Sequence, residues 1–301
     1  SVYVVSDGPQ PEPYIVVFPQ TASGATHPTV QIRGTLVSVD GDGNVYALVG
    51  SNVVEYQRDS IWNGPARSLP VGAGTKIAAV KDMVASPDGE IYISDGIGIA
   101  VFSETATGNA DPVRYITGNY TSGGGGSTTV VPSLITLDSG GNLYVQDNST
   151  NTIAIFKSTD TGNVTASRII SGKSSTTKQW WGVGGLTTDS AGNLYVSALW
   201  PSSDQSGNEF GVQVFDAAAS GDAVPVRVIT NAPGVDMYPY CANLGVGVDS
   251  AGTIYLSACH AFGGTPAVFE FAPGANGPST PTQTITMPEW ADAPESRIAV
   301  H

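Results

Sequence analysis

A seven-residue pattern recurs along the chain and constrains the fold more than any other feature. It reads D-x-x-G-N-aliphatic-Y at 40–46, 138–144 and 189–195, and variants stand at 86–92 (Ser86, Gly89, Glu90, Tyr92) and 249–255 (Asp249, Gly252, Thr253, Tyr255). An aspartate side chain bonds to backbone N–H groups two residues on, and glycine takes the positive φ that a tight turn needs. Placed between two apolar runs, the pattern specifies a β-hairpin.

A second landmark follows each hairpin: a short apolar strand ending in an aromatic. It occurs six times, closing on Phe18, Tyr56, Phe102, Phe156, Phe215 and Phe271. A third is a P-x-R-x-I strand, clear at Pro112, Arg114 and Ile116 and at Pro225, Arg227 and Ile229, and looser around Arg168 and around Gln283. Each unit therefore has four short strands, A to D. The repeat tyrosines stand at 3, 46, 92, 144, 195 and 255. Four strands per interval of this length define a propeller blade. Tyr3 has no strand A before it, and the last segment, Arg297 to His301, reads as a strand A with no strand B after it. The expectation is an all-β, six-bladed β-propeller of four antiparallel strands per blade, closed by pairing the N- and C-terminal strands within one blade. A single domain spans 1–301, with blades at 297–301 plus 1–34, 35–72, 81–118, 133–172, 183–230 and 241–287. Closure removes open sheet edges.

Composition agrees. Charged residues are 13% and glycine and proline number 37 and 20, which excludes a helical bundle, a coiled coil and a charged disordered chain. The formal charge of −14 argues against nucleic acid as a partner, because phosphate neutralisation needs clustered lysine and arginine. No apolar run is long enough to span a membrane. Ser1 already stands in a strand-like run, as in a processed mature form. The two cysteines, Cys241 and Cys259, flank the hairpin around Asp249. Counting outward from the turn sets them roughly opposite each other, so a cross-strand disulfide is the expectation and two buried thiols the alternative. With few lysines and a Ser/Thr/Gly-rich surface, this reads as a secreted, extracellular or periplasmic protein.

The D-x-x-G-N-[LIV]-Y-V turn followed by a V-x-V-F strand resembles the NHL-repeat propellers and, more loosely, the six-bladed SMP-30/lactonase-like group. The resemblance covers essentially the whole chain. Such families contain lactonases, lyases, ligand-binding modules and interaction platforms, so the resemblance implies the fold and leaves the activity open. The lactonase-like enzymes hold a divalent cation in the central channel by groups at the starts of strands A. Those starts here offer Asp82, Ser133, Gly184, Asn243 and Arg297, a thin oxygen set for a hard cation. Asp82 and Asn243 are the positions that this resemblance carries over as metal ligands.

Repeat positions serve the fold, so irregular residues carry the functional information. The turns between strands A and B are short and uniform. The D-to-A connections (119–132, 173–183, 231–241, 288–296) and the B-to-C connections at 199–209 and 260–266 are long and unlike one another, and loops on a rigid scaffold are where function concentrates. Trp180, Trp181, Trp200, Tyr238, Tyr240 and Trp290 stand in them. Aromatic faces bordered by carboxylates and amides suit sugar rings, and equally a protein partner; the alternative is that they pack the loops onto the propeller. Catalytic motifs are absent: no H-E-x-x-H, no G-x-S-x-G, and no phosphate loop at Gly172-Lys173-Ser174. His260, beside Cys259, is the one histidine placed to act as an acid or base. Three readings follow. The first is a binding protein whose ligand is a glycan or an extracellular protein. The second is a metal-dependent lactonase or lyase using Asp82, Asn243 and His260. The third is a self-associating structural subunit of an extracellular assembly.

Overall fold

The computed structural model describes residues 1–6, 13–72, 77, 79–121, 127–171, 180, 182–201, 208–231, 245–259, 266–287 and 297–301. They form six sheets, each built on four antiparallel strands in the order A-B-C-D, the architecture of a six-bladed β-propeller. Among the described residues no helix is long and apolar enough to cross a membrane. The chain divides into two compact units, one of Ser38–Gly172 with Ser220–Asp222 and one of Ser1–Val37, Lys173–Ala219 and Ala223–His301.

The first of these carries blades two to four. Blade two consists of Val37–Val39, Val45–Val49, Asn52–Tyr56 and Arg67–Pro70, and blade three of Asp82–Ala85, Ile91–Ser94, Ile99–Phe102 and Arg114–Thr121. Blade four consists of Pro132–Leu137, Leu143–Asp147, Thr152–Phe156 and Arg168–Ile170. The central strands are buried on both faces, as their unbroken apolar runs require: all four residues of Ile91–Ser94 and of Ile99–Phe102 are buried. Blades three and four share a core of Tyr92, Val101, Ile116, Ile135, Val145 and Phe156. Gly118 permits this contact, since a Cβ there would lie 2.2 Å from the Phe156 ring.

The second unit carries blades five, six and one. Blade five is Gly182–Thr188, Leu194–Pro201, Asn208–Phe215 and Arg227–Asn231, and blade six is Val246–Val248, Ile254–Cys259, Pro266–Phe271 and Gln283–Thr286. Blade one joins the chain ends: Ile298–Val300 is its strand A, followed by Val2–Ser6, Tyr14–Phe18 and Val30–Arg33. Val2 faces Val300 and Val4 faces Ile298, so the expected closure of one blade by both termini is present.

The turn chemistry follows the sequence pattern. In blade four, Asp138 Oδ1 accepts the backbone N–H groups of Gly140 and Asn142 at 2.9 Å each. Oδ2 accepts the Asn142 amide at 2.8 Å and the Tyr144 hydroxyl at 3.5 Å. Gly141, at φ +74°, makes the turn. One carboxylate therefore fixes both the turn backbone and the tyrosine of strand B.

Two features depart from expectation. The C-to-D connections of three blades contain short strands that pair in parallel with strand D of the preceding blade: Gly162–Thr165 on Arg114–Thr121, Gly277–Ser279 on Arg227–Asn231, and Gly24–Ala25 on Gln283–Thr286. They occupy hydrogen-bonding groups that an outermost strand otherwise leaves open. Two connections expected as loops are also partly strand. Arg114–Thr121 is prolonged and pairs with Ser127–Thr129, while the blade-five hairpin extends to Pro201 opposite Asn208. β-branched and aromatic residues such as Tyr120, Thr121, Thr128 and Trp200 favour the extended ladder.

Candidate functional site

Every blade from two to five holds an arginine of strand D over the repeat tyrosine. Arg67 donates from Nη2 to the Tyr46 hydroxyl at 3.3 Å, Arg114 to Tyr92 at 2.7 Å, Arg168 to Tyr144 at 3.5 Å and Arg227 to Tyr195 at 2.7 Å. Three of these guanidinium groups stand 5.5–5.7 Å from the centre of the ring beneath them, within cation–π range. In blades two, three and five the other arm of the guanidinium reaches the turn after strand C of the following blade. Arg227 Nη1 donates to the Pro273 and Ala275 carbonyls at 2.7 and 3.2 Å, and Arg67 Nη1 to those of Ser103 and Ala106 at 3.2 and 3.4 Å. Arg67, Arg114 and Arg227 thus bind blade to blade, and their charge is engaged within the fold.

Blade six breaks the pattern. Gln283 faces Glu270 in the register where Arg67 faces Glu55 and Arg227 faces Val214. Glu270 also faces Tyr255 across strands B and C, and the Tyr255 hydroxyl donates to Asp249 Oδ2 at 3.2 Å. Glu270 is 2% exposed, and its Oε1 has no hydrogen-bond partner. Burial, and then the charge of Asp249, push the Glu270 carboxyl up to about 7. Burial raises the Tyr255 hydroxyl, with Glu270 and Asp249 adding to it. The contrast with Asp147 is informative. That carboxylate is 0% exposed yet accepts from the Val131 and Ser149 backbones and from the hydroxyls of Ser149, Thr150 and Tyr120.

Of the aromatic residues singled out in the sequence, Trp180 and Trp200 are described, and both are buried, at 1% and 4% exposure. Trp180 lies against strand C of blade five, edge-on to Phe215 with centroids 5.8 Å apart, and its Nε1 donates to Gln213 Oε1 at 3.0 Å. Trp200 sits in strand B rather than in a loop, with its Nε1 donating to Glu209 Oε2 at 3.1 Å. Buried indoles with a bonded N–H anchor structure; here both bond to strand C of blade five. Trp181, Tyr238, Tyr240 and Trp290 lie outside the described residues, as do His260, Asn243 and Cys241. Cys259 ends strand B of blade six opposite Pro266, and its side chain is outside the description, so the disulfide expectation falls there too.

Asp82 is 3% exposed and opens strand A of blade three. Its Oδ1 accepts the Met83 N–H and its Oδ2 the Ile135 N–H, both at 2.8 Å, so it ties strand A of blade three to strand A of blade four. Among the described residues no three His, Cys, Asp or Glu side chains gather as a metal site. Sequence reasoning passed over Glu270 and Gln213, the buried polar residues of strand C. The available signal was an acid before the final aromatic of V-F-E-F, matched by a glutamine where strands D of blades two to five place arginine.

No family model matches the chain, and no curated protein matches it. Among solved structures, a protein of unknown function from Bacteroides caccae aligns over 99% of this chain and 97% of its own, at TM-score 0.60 and 10% identity. Virginiamycin B lyase from Staphylococcus aureus aligns over 100% and 95%, at TM-score 0.41 and 11% identity. At such identity the first likeness speaks for the fold alone.

Proposed function

We propose that this propeller is an exported, non-catalytic binding protein that holds a glycan or an extracellular protein on the face carrying its long connections. The observation that carries the reading is the state of Asp82. The carboxylate on which a channel-metal enzyme would depend is buried and accepts two backbone N–H groups. In blades five and six the ends of strands B and D and the starts of strands A and C share one edge of each sheet. That edge borders connections 202–207, 232–244 and 260–265. Trp181, Tyr238, Tyr240 and Trp290 are the ligand-contacting residues of this proposal, with Trp180 and Trp200 as their footing.

A glycan array and an extracellular-protein panel test it. Alanine at Trp181 or Trp290 is expected to weaken binding by about tenfold or more, the loss of one aromatic hot spot. Unchanged binding in both variants overturns the site. Metal-dependent lactone hydrolysis or lyase activity that Asp82→Asn abolishes overturns the non-catalytic reading.

A further inference from the structure

Blades two and six are built on the same acidic frame. Glu55 faces Tyr46 across strands B and C, as Glu270 faces Tyr255. In both, the turn aspartate accepts the tyrosine hydroxyl, at 3.1 Å in blade two and 3.2 Å in blade six. Blade two completes the frame with a cation: Arg67 Nε donates to Glu55 Oε2 at 2.6 Å and its Nη2 to the tyrosine hydroxyl at 3.3 Å. Blade six has Gln283 in that register, so two carboxylates meet there with no cation from strand D. Glu270 is 98% buried by its 2% exposure, with Oε1 unpartnered. A buried carboxylate oxygen without a hydrogen-bond partner is costly to the fold.

The four arginine blades show what this frame accommodates, namely a positive group over the tyrosine. Gln283 is shorter than arginine, uncharged, and brings an amide oxygen. Two carboxylates, a phenol oxygen and an amide oxygen are all hard donors, the set that Ca²⁺-like ions select over softer metals. The pattern differs from an acidic surface patch, because its central acid is buried and its equivalent in blade two is already cation-bound. We infer that Glu270, Asp249, Tyr255 and Gln283 form a site for a hard divalent cation of the Ca²⁺ type, standing in for the arginine that blade six lacks. The inference is independent of the function proposed above.

Tb³⁺, which occupies Ca²⁺ sites and luminesces when a tyrosine beside it is excited, is the probe. The intact chain is expected to show saturable Tb³⁺ luminescence that Ca²⁺ displaces and NaCl at equal ionic strength does not, with a Ca²⁺-dependent rise in unfolding temperature. Glu270→Gln is expected to weaken the site by about tenfold or more, since affinity follows ligand charge. Gln283→Arg restores the internal cation, so this variant should fold and lose the Tb³⁺ signal. Absence of a saturable signal in the intact chain, or an undiminished one in Gln283→Arg, overturns the inference. Should Glu270→Gln fail to fold, Gln283→Arg decides alone.

Discussion

Glu270 makes the stability of this propeller depend on pH in a way that can be worked from its surroundings. Its carboxyl is raised from 4.5 to about 7 by burial, with Asp249 adding to the effect. At roughly 1.4 kcal/mol per tenfold change in proton affinity, ionised Glu270 disfavours the folded state by about 3 kcal/mol. Below pH 4.5 the side chain is protonated in both states and the penalty is absent. From 4.5 to about 7 the unfolded chain releases the proton while the folded chain keeps it, so stability falls as pH rises. Above about 7 both forms are ionised and the full penalty remains. Glu270→Gln removes the titration. Urea unfolding of both proteins in chelator-treated buffer between pH 4.5 and 8.5 should show the variant gaining about 3 kcal/mol on the parent across that range. A stability difference that stays constant with pH would refute the reasoning, because it would mean that Glu270 titrates alike in both states.

Three further outcomes follow from contacts described above. Asp189→Ala removes the acceptor of two turn N–H groups and of the Tyr195 hydroxyl, and should destabilise by about 2–3 kcal/mol in chemical denaturation. Gly118→Ala drives a methyl group into Phe156; a loss of about 1–3 kcal/mol is expected, and Gly118→Ala with Phe156→Leu should recover part of it. Trp180→Phe leaves Gln213 Oε1 without its donor while Nε2 already has no partner, at a cost of about 1–3 kcal/mol, whereas adding Gln213→Leu should return much of that stability. Equal stability of the single and double variants would count against the hydrogen bond as the cause.

The fold was legible because its determinants are local and repeated. The spacing from Asp138 to Tyr144 encodes a turn and the contact that locks it, within seven residues. The unmatched half-hairpins around Tyr3 and Ile298 announced the shared blade in the same way. The parallel pairing of Gly162–Thr165 onto Arg114–Thr121 left no trace, because a largely exposed strand of four residues has too few buried side chains to display a period. Trp200 looked like a loop residue, since Pro201 follows it and nothing local shows that the ladder continues to Asn208. The Glu270 environment needed the strand register: Gln283 is unremarkable until it is aligned with Arg67, Arg114, Arg168 and Arg227. Relations between blades, which carry no sequence spacing of their own, were the part that composition and periodicity could not convey.

The pairing in blade one also sets how the molecule answers a pull. Because the strands are antiparallel with Val2 facing Val300, residues 1 and 301 leave the ladder from the same side, where the Ser1 amino group donates to the His301 carbonyl. Tension between them opens the ladder bond by bond, as a zip, and never loads its hydrogen bonds together in shear. The seam that completes the blade is thus its softest line under load, although Val2, Val4 and Val16 behind it are 0% exposed. Resistance to unfolding should therefore depend on where the force enters rather than on the total stability of the fold.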